Sequence, residues 1–338
     1  MTLQKHTIND VAKLAGVSKK TVSRVLNEEA NVRESTRLVV MQAVESLGYK
    51  PNPQARGLAS NQSFLIGLIY DNPNKSYVSD VQEGALTACE EHGYHLLIQP
   101  MIHDQNDVVD KIESLIYSSR LDGLILTQPF SDNKSLNTLL KKINLPYARI
   151  APTEMMDDSL NVVCNDVESA YQMTRYLISL GHIKIGFIVG HPDHPVSQQR
   201  LNGYIKALQE NKIEYDAKYV QQGFFDFNSG EDCARRLLSL EERPTAIFAS
   251  NDYMAAGVLK VASQKQISVP HQLSVAGYDN APISSYIWPA LTTVKQPVTQ
   301  QALMATTLLI QTIRKKMPEE TTINLENQLI IRESTAPF

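Results

Sequence analysis

"VSKKTVSRVLN", residues 17–27, gathers Lys19, Lys20 and Arg24 in a chain whose formal net charge is −4. Helical spacing sets Lys20, Arg24 and Asn27 on one face, with Lys19 and Ser23 beside them and Val22, Val25 and Leu26 turned the other way. Lys19 and Lys20 fall in the first turn, where the helix dipole disfavours cations by roughly 0.3 kcal/mol or more. They are poor choices for local stability, and an external anion accounts for them; a solvated basic face is the plainer alternative for an isolated helix.

The surroundings decide between these. Upstream, "NDVAKLAGV" predicts a helix with Val11, Leu14 and Ala15 on one face. Gly16 makes the turn and Ser18 caps the next helix. Downstream, "ESTRLVVMQAVESLGY" predicts a third helix carrying Leu38, Val39, Ala43, Val44 and Leu47. Two amphipathic helices joined by a short Gly-containing turn form a helix-turn-helix, so residues 1–48 read as an all-α DNA-binding head. The second helix of such a motif enters the major groove with its first residues at base edges, where Arg and Lys suit guanine O6 and N7. The charge distribution agrees. Residues 1–62 carry a net +4, which leaves −8 on the remainder. A basic head on an acidic body meets a polyanion through the head alone.

Residues 49–62, "YKPNPQARGLASNQ", change texture. Two prolines, a glycine and polar residues predict a linker, although Asn52 as cap and Pro53 at the first helical position can open a short helix through Leu58. From residue 63 the chain alternates strand-like runs ("FLIGLIY", "HLLIQP", "DGLILTQ", "YARI", "KIGFIVG", "TAIFAS", "LSVAGY", "TTVKQ") with helical patterns. Alternation of this kind predicts parallel, doubly wound α/β sheets, and the length predicts two lobes.

In open α/β sheets, ligands bind outside the carboxyl ends of the strands. Those ends carry Asp71, Thr127, Gln128, Asn251, Asp252 and Asp279; Phe225 lies in "QQGFFDF" and Arg200 near a helix start. Acids, amides, an arginine and an aromatic ring suit a polyhydroxylated ligand: carboxylates accept from hydroxyls, Arg donates to them, and the ring covers an apolar sugar face. A helix cap is the alternative role for each acid, most evenly so for Asp252 ahead of "YMAAGVL".

The segment "TINDVAKLAGVSKKTVSRVLN…VRESTRLVVMQAVESLGYKPNPQARGLA" resembles the N-terminal module of the LacI/GalR family of bacterial transcription regulators. The resemblance resumes at "SLGHIKIGFIVG", "RLNGY", "PTAIFASNDYMAAGVL", "LSVAGYDNAPISSYIWPALTTVKQP" and "LIIRES". It implies a helix-turn-helix head, a hinge helix and a two-lobed body of the periplasmic-binding-protein type. Lobe 1 then comprises about 63–163 and 293–323, and lobe 2 about 164–292 and 324–338. By position, Lys19, Lys20 and Arg24 would face bases, and Ser18, Thr21, Ser23 and Asn27 would hold phosphates or support the helix. In the hinge, Leu58 stands where relatives wedge a leucine into the minor groove, flanked by Asn52, Ala55 and Arg56; packing on the body is its alternative role. Arg33 replaces a capping serine of many relatives and would reach a phosphate instead. The resemblance supports Arg200, Asn251 and Asp279 as effector contacts. It touches Asp71, Thr127, Phe225 and Gln296 more loosely, and adds Asp166. Ala151 stands where many relatives have a polar residue.

Other classes fit less well. Cys89, Cys164 and Cys233 are far apart with no Cys-x-x-Cys, which argues against a disulfide framework or zinc site and for a reducing compartment. "MTLQKHTINDVA" has no apolar signal core and no run reaches membrane-spanning length, so a cytoplasmic, nucleoid-associated protein with no membrane partner is expected. His191 and His194 in "HPDHP" read as a surface loop rather than a metal site. There is no Gly-x-Ser-x-Gly elbow and no Gly-rich phosphate loop, so neither an enzyme nor a cofactor or metal is expected. No heptad helix follows "RESTAPF", where some relatives carry a tetramerisation segment. The sequence is thus read as a sugar-responsive repressor that binds palindromic operator DNA as a homodimer. A transport-type sugar-binding protein is the rival.

Overall fold

The computed structural model describes residues 6–26, 31–49, 62–156, 159–316, 318 and 320–338. The chain divides into two compact units at the Phe64–Leu65 junction.

The first unit holds α1 (Ile8–Leu14), α2 (Lys19–Leu26) and α3 (Glu34–Ser46). The Asp10 carboxylate accepts hydrogen bonds from the Thr7 amide and hydroxyl and closes the start of α1. Gly16, at φ +65°, ends that helix in the left-handed conformation, and Val17 N–H returns to the Ala12 carbonyl. Ser18 Oγ then accepts from Thr21 N–H at 3.1 Å, as expected of the cap. The helices enclose Val11, Ala15, Val22, Val25, Val40 and Ala43. Leu14, Leu38 and Val39 were expected on the inner faces and are exposed instead. In α3 the enclosed row runs through Val40, Ala43 and Val44, and three short helices cover only one such row each. The hinge positions Asn52, Ala55, Arg56 and Leu58, and Asn27, lie outside the described residues.

In the second unit the described strands are β1 (Leu65–Tyr70), β2 (His95–Pro100), β3 (Gly123–Leu126), β4 (Tyr147–Ile150), β5 (Leu160–Cys164), β6 (Ile185–Val189), β7 (Val220–Gln222), β8 (Ala246–Ala249), β9 (Ser274–Ala276), β10 (Thr293–Lys295), β11 (Thr322–Leu325) and β12 (Gln328–Ile330). Lobe 1 is built on a parallel sheet of order β11-β5-β4-β3-β1-β2, and lobe 2 on a parallel sheet of order β7-β6-β8-β9. Strands β3, β4, β6 and β8 are buried at every residue, as parallel strands covered on both faces should be. β10 and β12 pair antiparallel, and an isolated bridge joins Lys295 to Asp279 on the lobe 2 side. The lobe limits therefore differ slightly from those read in the sequence. Cys164, Asn324 and Leu325 belong to the first sheet, and residues 293–295 go with lobe 2.

The helices of this unit are α4 (Lys75–His92), α5 (Val108–Ser119), α6 (Lys134–Lys142), α7 (Asp166–Ser179), α8 (Val196–Glu210), α9 (Phe227–Leu237), α10 (Asp252–Gln264), α11 (Ile283–Tyr286) and α12 (Val298–Ile313). Five of them begin on a side-chain cap: Asn74, Asn133, Asn165, Asp226 and Asn251 each accept a backbone N–H of the first turn. Closely packed helix pairs in each lobe depend on glycine. A Cβ at Gly84 of α4 would lie 2.1 Å from the Thr299 carbonyl of α12, and one at Gly203 of α8 would lie 2.2 Å from the Val167 carbonyl of α7.

Candidate effector and nucleic-acid sites

The carboxyl ends of the two sheets converge on a cleft lined by Asn72, Asn74, Tyr77, Gln128, Ala151, His194, Val196, Arg200, Phe225, Asp279 and Gln296. Arg200 organises its floor. Its Nε donates to Asp166 Oδ1 at 2.8 Å, its Nη1 donates to the Ser250 carbonyl, and its guanidinium lies 3.6 Å from the centre of the Tyr278 ring. Asp279 Oδ1 stands 3.7 Å from Nη1 and accepts from Gln296 Nε2 at 2.7 Å; Oδ2 accepts from Asn74 Nδ2 at 2.7 Å. Burial pushes the Asp279 carboxyl up to about 7, against the opposing pull of Arg200.

Three lining residues hold left-handed backbone without being glycine: Ala151 at φ 51°, Phe225 at 61° and Asp279 at 103°. Such residues cost on the order of 1–3 kcal/mol each and concentrate where a site demands a particular side-chain direction. Phe225 is seated by its neighbours: Asn251 Nδ2 donates to its carbonyl, and the His194 ring meets it edge-on at 5.7 Å. Gly190 leaves the space for the ring, since a Cβ there would fall 2.1 Å from Phe225 Cζ.

Five of the nine expected effector residues, Gln128, Arg200, Phe225, Asp279 and Gln296, line the cleft. The other four are not among the lining residues. Asn251 is fully buried, caps α10 through Met254 N–H and donates to the Phe225 carbonyl; it, and not Asp252, is the cap. Asp252 accepts from Thr293 Oγ1 and Ala281 N–H. Thr127 is fully buried and its carbonyl accepts from Ser131 N–H. Asp71 is taken up by the amide and Nδ1 of His103, and Asp166 by Arg200. His194 overturns the reading of "HPDHP" as a surface loop: it is buried and lines the cleft. Burial and the neighbouring His191 bring it down to about 4, so it is neutral at pH 7. Asn74 was also missed, although an Asn at a strand end just ahead of a helical pattern is the same signal that marked Asp71.

On the head, Ser18, Lys19, Lys20, Arg24 and Arg33 are exposed and Thr21 and Ser23 half-buried, while Val22 and Val25 face the core. The first turn of α2 contains no acid to offset Lys19 and Lys20. Arg33 stands at the N-cap of α3 without capping it by its side chain. The three cysteines are free, and burial pushes the Cys164 thiol up to about 12. No described helix is long and apolar enough to cross a membrane.

Residues 7–52 match the family described as bacterial regulatory proteins, lacI family, and residues 174–335 match a periplasmic binding protein-like domain. The chain is 33% identical to the HTH-type transcriptional repressor PurR of Mannheimia succiniciproducens over 97% of its length and 98% of the relative's. It is 34% identical to PurR of Proteus mirabilis over 98% of each. Among solved structures, the lac repressor dimer bound to operator and the anti-inducer ONPF superposes with a TM-score of 0.77 at 26% identity, covering 98% of this chain and 100% of that one. The transcriptional regulator CelR in complex with cellobiose gives 0.74 at 28% identity with the same coverage. The chain belongs to the LacI family of bacterial regulatory proteins, DNA-binding transcription regulators with a periplasmic-binding-protein-like ligand domain.

Proposed function

We propose that this regulator is a repressor that holds a palindromic operator as a homodimer and is controlled by a neutral, hydroxyl-bearing ring, a sugar or sugar derivative, taken up between its lobes. The observation that carries the effector class is the charge balance of the cleft. Arg200 is the one full cation among the lining residues, and Asp166 and Asp279 already neutralise it. With His194 neutral, a phosphate group would enter a site with no uncommitted charge to meet it, at a heavy desolvation cost. A neutral ring with hydroxyls can stack on Phe225, donate to Asp279 and accept from Arg200, Asn74 and Gln296 without that cost.

The name of CelR's ligand, cellobiose, supports the same class. Dimerisation follows from the head, because one helix-turn-helix reads one half-site. The exposed aromatics Tyr286 and Trp288, on and just after α11, offer a second copy an apolar contact. A thermal-shift screen of neutral mono- and disaccharides beside sugar phosphates tests the effector class, since a ligand at 100 times its Kd stabilises the folded chain by about 2.7 kcal/mol. Stabilisation by a neutral sugar, followed by a changed operator affinity in fluorescence anisotropy, is the expected result. Stabilisation by phosphorylated sugars alone would overturn the class.

A further inference from the structure

Two hydrogen bonds cross the cleft with only side chains and backbone of this chain. Asn74 in lobe 1 donates to Asp279 Oδ2 in lobe 2 at 2.7 Å, and Gln128 Oε1 in lobe 1 accepts from Val196 N–H in lobe 2 at 3.3 Å. The first stands out because of what holds each partner. Asn74 Oδ1 is fixed by its cap bonds to Ser76 and Tyr77 N–H, so its amide group is aimed by the start of α4. Asp279 is fixed by Gln296 and by the left-handed backbone at its own position. Both side chains are nearly excluded from solvent, where a bond to a carboxylate is worth more than at the surface.

We infer that Asn74 is a cross-cleft latch: it draws the lobes together on Asp279 before any effector arrives. Asn74 is therefore a coupling residue of the cleft. An effector that donates to Asp279 enters a cleft already populated in its closed form, so less of its binding energy goes into moving the lobes. This deepens the reading of the cleft as the effector site, but its test uses no effector, so the two can fail separately.

The test separates the latch from the cap. Asn74→Ser keeps a good N-cap residue on α4 but is too short to reach Asp279. Asn133→Ser makes the same exchange at the cap of α6, which makes no cross-cleft bond, and serves as the control. Spin labels at Ser114→Cys in lobe 1 and Glu214→Cys in lobe 2, both exposed positions, report the separation of the lobes by pulsed electron resonance in the full-length chain without effector. Asn74→Ser should shift the distance distribution to longer values or broaden it towards them, while Asn133→Ser leaves it unchanged. Asn74→Thr, which also caps and also lacks the reach, replaces Asn74→Ser should the latter fail to fold. A distribution unchanged by the folded Asn74 variant, or shifted equally by Asn133→Ser, overturns the latch.

Discussion

Arg200 bridges two carboxylates, donating from Nε to Asp166 at 2.8 Å and facing Asp279 from Nη1 at 3.7 Å, so one fully sequestered cation holds the floor and the wall of the cleft together. Removing either partner of such a group leaves a buried charge uncompensated. Asp279→Asn should lower affinity for the sugar identified by the screen at least tenfold, or about 1.4 kcal/mol. The variant should still bind the operator, because Asp279 belongs to the body and not to the DNA-reading head. Calorimetry for the sugar and fluorescence anisotropy for the operator check the two halves. A normal sugar response would remove Asp279 from the site.

Acidity should act through the same carboxyl. Its folded value, about 7, lies above the ordinary 3.8, so the folded chain binds this proton more tightly than the unfolded chain does. The contribution to stability is present at low pH and is lost as pH rises from about 4 to about 7. Wild type should therefore gain on Asp279→Asn in thermal stability when acidified through that window. A sugar hydroxyl donates best to the ionised form, so sugar affinity should rise with pH through 7 and flatten in Asp279→Asn. Titrations from pH 5.5 to 8 measure both.

Gly190→Ala should push the Phe225 ring out of its seat, since the added Cβ would stand 2.1 Å from Cζ and 2.2 Å from Cε1. Overpacking of this kind costs about 1–3 kcal/mol. The expected outcome is weaker sugar binding with a lowered melting temperature and unchanged DNA binding. Sugar affinity equal to wild type would mean that the ring does not cover the ligand.

On the head, Lys20→Ala and Arg24→Ala should each cost about 1–3 kcal/mol at the specific site and relax base preference. Binding-site selection with each variant provides the check. A loss that is uniform across sequences, with a smaller salt dependence, would make them phosphate contacts instead.

Trp288 is the chain's one tryptophan and is 84% exposed. If a second copy covers it, its emission should move to shorter wavelength as concentration rises, and Trp288→Ser should weaken the dimer in sedimentation. Emission independent of concentration, with dimers intact in Trp288→Ser, would place the interface elsewhere.

The helix-turn-helix was legible because its signals are local: Gly16 at the turn, Ser18 at the cap, and Val22 and Val25 at helical spacing. Eight strands of the body were legible as apolar-rich runs between helical patterns. β5, "LNVVC", β7, "VQQ", β11, "TINL", and β12, "QLI", were not among those runs and take their strand identity from their neighbours. The cleft was half legible. A strand-end rule finds residues near the mouth of an α/β sheet but does not say which way a side chain turns. Asn251 and Thr127 satisfy the rule and point into the core, while Asn74 and His194 reach the cleft from loops whose paths depend on contacts distant in sequence.

Among the described residues the chain passes between the lobes three times, after β5, after β10 and between β11 and β12. These passages lie side by side, since Leu325 is paired with Cys164 and Gln328 with Lys295. Three adjacent tethers oppose sliding and leave swinging about their common line as the soft motion. The lobes then work as a lever with a short inner arm and a long outer one. A displacement of about an ångström where a ligand sits is multiplied at the far edges of the lobes, so the joint converts a chemical event of molecular size into a mechanical one.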